Sequence, residues 1–154
     1  MANISQKITK GARATQKLGQ QLAQEIGPGT IVALSGDLGG GKTTFVQGLA
    51  QGLGLKNRIL SPTFVTSRVF TLPKQGFSRL YHLDLYRLAS KQIDRQALIE
   101  MIADQKGVIA IEWADKILDQ LPKSRTWQIH FTYLDKNQRR IELTGFSSPL
   151  LTKS

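Results

Sequence analysis

The segment Gly36-Asp37-Leu38-Gly39-Gly40-Gly41-Lys42-Thr43 constrains this chain more than any other. It satisfies the phosphate-binding pattern G-x-x-x-x-G-K-[ST] at every fixed position. The apolar run Thr30-Ile31-Val32-Ala33-Leu34 leads in, and a helix-like stretch from Thr44 to Leu53 follows, which is the strand–loop–helix context the pattern needs. The glycines let the loop wrap with its N–H groups pointing inward, where they cradle anionic oxygens. Lys42 adds a point charge at the outer phosphates, and the Thr43 hydroxyl can ligate Mg²⁺. From Thr44 on, the helix start contributes further N–H donors and a positive dipole end. The expected ligand is a nucleoside diphosphate or triphosphate held by residues Gly36 to Thr44.

A length of 154 residues suits one domain with a proper core. No apolar run approaches the ~20 residues of a membrane span, and no signal-type segment opens the sequence. There is no cysteine, which excludes thiol catalysis, a thiolate metal site and a disulfide framework and suits a cytoplasmic location. The net charge of +10 is unevenly spread. Through Leu83 the only acids are Glu25 and Asp37 against ten Lys and Arg, whereas the remainder is nearly balanced. One nucleotide needs one or two cations, so the excess points to an acidic partner or RNA. Lys10, Arg13 and Lys17 follow helical spacing and would form one stripe on an N-terminal helix.

Residues 9–26 read as an amphipathic helix ended by Gly27-Pro28-Gly29. Residues 30–35 form the first strand, followed by the loop and its helix. Ile59 to Phe70 reads as a loop feeding a strand, with Pro62 in the loop or at a sheet edge. Phe77 to Leu85 is a further strand, and Pro73-Lys74-Gln75-Gly76 makes the two a hairpin. Asp94 to Ala103 is helical. Gly107-Val108-Ile109-Ala110-Ile111 has the continuous apolar character of a strand buried on both faces. A short helix spans about Ala114 to Leu121, and two strands, Thr126–Tyr133 and Arg139–Phe146, meet at Asp135-Lys136-Asn137. Residues 146–154 read as a frayed tail. The predicted fold is a three-layer α/β, P-loop NTPase-like domain over residues 1–154. Helices flank a mixed, mainly parallel central sheet.

A phosphate loop needs a carboxylate at the end of a neighbouring buried strand. Glu112 ends the run Val108-Ile109-Ala110-Ile111, and Asp84 sits in Tyr81-His82-Leu83-Asp84-Leu85-Tyr86-Arg87. Either acid could hold Mg²⁺ while the other orients the attacking water, so Lys42, Asp84 and Glu112 are the candidate catalytic residues. The segment Ser61-Pro62-Thr63 offers hydroxyls that could sense the terminal phosphate or its metal, or it is a plain turn. His82 fits a core histidine or one placed behind a ligand, and Trp113 fits the core, a stacking surface or a gate. The sequence has no N-K-x-D guanine-reading segment, no evident arginine-rich lid and no obvious arginine finger, which predicts slow intrinsic hydrolysis.

Four of these segments, from the phosphate loop through Ser61-Pro62-Thr63-Phe64 and His82-Leu83-Asp84-Leu85-Tyr86-Arg87-Leu88 to Ile111-Glu112-Trp113, occur together in order. In this the chain resembles the TsaE (YjeE) family, bacterial ATPases of tRNA threonylcarbamoyladenosine synthesis. The resemblance runs from Thr15 to the last strands. It implies a small P-loop fold that binds ATP or ADP with Mg²⁺, hydrolyses ATP weakly, and joins TsaB and TsaD to support turnover of the threonylcarbamoyl transferase. By the same resemblance Thr43 and Glu112 would be the Mg²⁺ ligands. Asp84 would be a catalytic or switching acid, and Ser61, Pro62 and Thr63 a nucleotide-sensitive loop. The chain departs from the family in having Gly40 where alanine is usual and Ala114 where proline commonly follows the tryptophan.

Two other readings use the same residues. A phosphotransferase would need an acceptor pocket and a lid, and a nucleotide-gated binding module would need no hydrolysis. The basic first half could touch tRNA or an acidic face of TsaB–TsaD.

Overall fold

The computed structural model describes residues 3–56 and 67–145. Within them a seven-stranded sheet has the order β1-β7-β6-β2-β5-β4-β3. The strands are β1 (Asn3–Lys10), β2 (Ile31–Gly36), β3 (Ser67–Thr71), β4 (Arg79–Asp84), β5 (Val108–Glu112), β6 (Thr126–Asp135) and β7 (Gln138–Gly145). The helices are α1 (Gly11–Glu25), α2 (Lys42–Gly52) and α3 (Arg95–Ala103).

The centre of the sheet is parallel, because β2 lies between β5 and β6 and β4 lies beside β5. Strands β2, β4 and β5 are covered on both faces. Val32, Leu34, Leu80, Val108 and Ala110 pack under α1 and α2. Ile31, Ala33, Leu83, Ile109 and Ile111 pack under Leu98 of α3, Ile117 and Leu121. This double burial is why these strands read as unbroken apolar runs. Strand β6 instead alternates, burying Trp127, Ile129 and Phe131 while exposing Gln128 and His130.

Helices α1 and α2 approach backbone to backbone. A Cβ built on Gly48 would overlap the Gln16 carbonyl, one on Gly19 the Phe45 carbonyl, and one on Gly52 the Ala23 side chain. Glycine at these helical positions carries a propensity cost of about 1 kcal/mol each. The close approach lets Leu18, Leu22, Phe45, Val46 and Leu49 share one core over the sheet.

Three expectations need correction. The first helix begins at Gly11, because Asn3–Lys10 is extended and pairs with β7 over all eight residues. Lys10 therefore ends a strand, and only Arg13 and Lys17 stand on α1. The sheet is mixed but not mainly parallel, since β1–β7, β6–β7 and β3–β4 are antiparallel and balance the three parallel pairings. The unanticipated β1 supplies that balance. Residues 114–121 form two 3-10 turns, Ala114–Lys116 and Leu118–Gln120, rather than one short α-helix. Asp94 caps α3 as its type favours, its Oδ1 accepting from the Ala97 N–H at 3.0 Å. The expected β3–β4 hairpin is present. Ser61, Pro62 and Thr63, and the tail 146–154, lie outside the described residues. Among the described residues no helix is long and apolar enough to cross a membrane.

Candidate active site

The phosphate loop leaves β2 at Gly36 and enters α2 at Lys42. Gly36, Gly39 and Gly41 have φ of 115°, 73° and 99°, values that favour glycine strongly. The loop is tied to β6 by Asp37, whose N–H donates to the Phe131 carbonyl at 3.0 Å. Its Oδ2 accepts from the Tyr133 N–H at 2.9 Å. Asp37 thus anchors the loop, while Leu38 points into solvent at its tip.

Lys42 is 5 % exposed, and its Nζ donates to the carbonyls of Gly36 at 3.0 Å and Asp37 at 2.6 Å. The same ammonium lies 4.1 Å from the centre of the Trp113 ring. Burial holds its pKa below the ordinary lysine value, against the opposing pull of Glu112, Asp37 and Asp84. The loop is therefore folded around its own cation.

Glu112 ends β5 in register with Asp84 at the end of β4. Its Oε1 accepts from the Thr43 hydroxyl at 2.7 Å, and its Oε2 lies 2.6 Å from His82 Nε2. His82 is fully buried and its Nδ1 has no hydrogen-bond partner. We assign the ring proton to Nε2, donating to Glu112, because a protonated Nδ1 would be an orphan donor in an apolar setting. The histidine that the sequence placed in the core or behind a ligand thus stands directly behind Glu112. Asp84 lines the same pocket, with its Oδ1 accepting from the Tyr86 N–H at 3.0 Å.

Trp113 follows Glu112 at φ 61°, the one non-glycine residue with positive φ among the described residues. Such a conformation costs about 1–2 kcal/mol. It turns the chain sharply at the strand end, and the half-buried indole lies between Lys42 and the Tyr86 ring, 4.9 Å away. Trp113 lines the pocket and stacks on Tyr86 while also packing against the core beneath α3.

Residues Leu38 to Thr44 with Asp84, Tyr86, Glu112 and Trp113 line a pocket of about 410 Å³, while Gly36, Asp37 and His82 stand behind it. Its second wall was not legible in the sequence: Gly11, Ala12 and Thr15 of α1 face Lys136, Asn137 and Arg139 of the β6–β7 hairpin. The Gly11 N–H donates to the Asn137 carbonyl at 2.6 Å and joins the two pieces. Arg139 spans to the loop, its Nε donating to the Gly39 carbonyl at 2.9 Å. No sequence signal marks this wall, because it exists only once β1 is placed beside β7.

The donor set fits Mg²⁺, which takes hard oxygen ligands and keeps several waters. A hydroxyl and a carboxylate already meet at 2.7 Å, and a second carboxylate stands on the adjacent strand. Thr43 and Glu112 would hold the ion, directly or through water.

The comparisons with known proteins agree with one another. The family model for the threonylcarbamoyl adenosine biosynthesis protein TsaE matches residues 9–141. The tRNA threonylcarbamoyladenosine biosynthesis protein TsaE of Synechocystis is 44% identical over 112 residues, 71% of this chain and 69% of that one. The protein of the same name in Bacillus subtilis is 37% identical over 89% of this chain and 83% of its own. The crystal structure of YdiB from Bacillus subtilis superposes with a TM-score of 0.74 at 31% identity, covering 96% of this chain and 88% of that one. The motifs, the P-loop fold and these likenesses converge: the chain belongs to the TsaE family of tRNA threonylcarbamoyladenosine biosynthesis.

Proposed function

We propose that the chain binds ATP and ADP with Mg²⁺ and hydrolyses ATP slowly, as the accessory ATPase that supports turnover of a TsaB–TsaD transferase in the cytoplasm. The observation that carries this reading is the meeting of Thr43 and Glu112 at 2.7 Å beside the buried Lys42. A hydroxyl, a carboxylate and a cation converge on one phosphate loop.

The residues divide the work. Backbone N–H groups of Gly39 and of Gly41 to Thr44 hold the phosphate oxygens, while that of Gly40 closes the loop on the Asp37 carbonyl, and Lys42 exchanges its two carbonyl acceptors for anionic ones. The nucleoside lies along the wall of Gly11, Ala12, Asn137 and Arg139. Bound Mg²⁺ would neutralise charge that develops on the phosphate oxygens. Glu112, held on both sides by His82 and Thr43, keeps the Thr43 hydroxyl directed into the site. Asp84 orients the attacking water. Arg139 lines the pocket, but its Nε and Nη1 donate to the carbonyls of Gly39, Asp135 and Gln138. An arginine so engaged is poorly placed to stabilise the transferring phosphoryl group, which supports slow turnover without a partner.

The test is multiple-turnover threonylcarbamoyl transfer to tRNA by matching TsaB and TsaD, with and without this chain. Turnover is expected to need the wild-type protein, and Lys42→Ala to lower its ATPase rate about 100- to 1,000-fold, the usual cost of removing one preorganised charge-stabilising group. A chain that hydrolyses ATP yet leaves transfer unchanged would remove the assignment to this process.

The exposed Arg13 and Lys17 flank the α1 side of the pocket and make tRNA the proposed second contact. Binding of tRNA to the isolated protein should then weaken steeply with salt, with a log–log slope near −0.9 per phosphate neutralised on duplex regions. A flat response would leave the basic surface to an acidic face of TsaB–TsaD.

A further inference from the structure

Lys116 ends the 3-10 turn that follows Trp113, and it does not line the nucleotide pocket. Its Nζ donates to three backbone carbonyls, Leu85 at 2.6 Å, Tyr86 at 3.0 Å and Leu88 at 2.7 Å. An ammonium carries three N–H donors, so all of them are spent on one short segment. The three carbonyls converge because residues 85–88 form a turn closed by the Leu88 N–H on the Leu85 carbonyl at 3.1 Å. Converging carbonyls repel one another and need a cation between them, which the exit of β5 supplies to the exit of β4.

The turn so gripped is the one that follows Asp84. Tyr86 is held at three points: its carbonyl by Lys116, its N–H by Asp84 Oδ1 at 3.0 Å, and its ring against Trp113 at 4.9 Å. The Leu85 N–H donates to the Glu112 carbonyl at 3.1 Å, completing the link between the two acid-bearing strand ends. Lys116 is therefore one residue away from the Asp84 carboxylate on one side and, through two rings, from Lys42 on the other.

We propose that Lys116 is a positioning residue for turnover: by caging the carbonyls of Leu85, Tyr86 and Leu88 it fixes the direction of Asp84 and the seat of Tyr86 on Trp113. This rests on the reading of Asp84 as the acid that serves ATP hydrolysis. Nucleotide binding rests chiefly on the loop and on α1, so it should fall far less than turnover even though Tyr86 and Trp113 also line the pocket.

The test uses the full chain with Lys116→Met, which keeps the stem and removes the ammonium, and Lys116→Ala. For Lys116→Met, kcat for ATP is expected to fall about 10- to 100-fold, the range for a slightly misplaced catalytic group, with nucleotide affinity near wild type. Ethylammonium added to Lys116→Ala should restore kcat, whereas tetramethylammonium, which cannot donate, should not. In a Trp127→Phe background Trp113 is the single indole, and acrylamide should quench it more readily once Lys116 is replaced. Loss of thermal stability with kcat and quenching unchanged would make Lys116 a plain structural tie and overturn the proposal. A parallel fall in nucleotide affinity would overturn it as well. If the wild-type chain shows no ATP hydrolysis, the ATPase reading fails first. Quenching then decides alone, and an unchanged Trp113 would sink the role of Lys116 too.

Discussion

Gly48→Ala is expected to be strongly destabilising, although it adds only one methyl group. The new Cβ would meet the carbonyl oxygen of Gln16 on α1, a backbone atom that no rotamer change can move aside. Overpacking of well-filled cores costs about 1–3 kcal/mol, and a backbone clash belongs at or above the upper end. At about 2–4 °C per kcal/mol for a chain of this size, the melting midpoint should fall by roughly 6–12 °C. Helix α2 begins at Lys42, so a shift between the helices also moves the phosphate loop. Weaker nucleotide binding should therefore accompany the lost stability. A Gly48→Ala protein with wild-type melting and affinity would show that α1 and α2 slide apart without consequence. Gly11→Ala is the contrast: its Cβ would meet nothing within 4 Å, and only its φ of 83° opposes the change.

Glu112 carries the second large effect, and the choice of replacement separates fold from chemistry. Glu112→Gln keeps the shape and part of the hydrogen bonding to Thr43 and His82. It should retain a melting midpoint near wild type while ATP turnover falls about 100- to 1,000-fold. Glu112→Ala should lose the same activity and also about 1–3 kcal/mol of stability, because it strands the Nε2–H of the fully buried His82. Paired melting curves and turnover rates check both statements. If Glu112→Gln turned over ATP like wild type, the carboxylate charge would be irrelevant and Asp84 would have to carry the chemistry alone.

The parts legible in the sequence are those where local pattern and final environment coincide. Val108 to Ile111 is apolar at every position because both faces of β5 are covered, and Glu112 is legible because an acid ending such a strand has few other reasons to be there. The glycines of the phosphate loop announce their φ values directly. Strand β1 was hidden for the opposite reason. Asn3-Ile4-Ser5-Gln6-Lys7-Ile8-Thr9-Lys10 lies at the sheet edge, where charged side chains are favoured, and its pairing partner is more than a hundred residues away. The cage of Lys116 was hidden as well, since a lysine among turns reads as solvated until the carbonyls of residues 85–88 are in place. His82 was half legible: its apolar neighbours placed it in the core, but only the parallel register of β4 and β5 set it behind Glu112.

The junction of β1 with α1 ties the occupant of the pocket to the order of the chain's beginning. Among the described residues strand β1 has a neighbour on one side only, so it is the natural place for the sheet to fray. Fraying that reached the start of α1 would displace Gly11 and Ala12, two of the six residues of the second wall, along with the bond from Gly11 to the β6–β7 hairpin. A ligand resting on that wall prefers the closed edge, and by mass action it draws the opening strand shut in proportion to its own saturation. The level of nucleotide would thus be written into how firmly the first described strand is sewn to the last one.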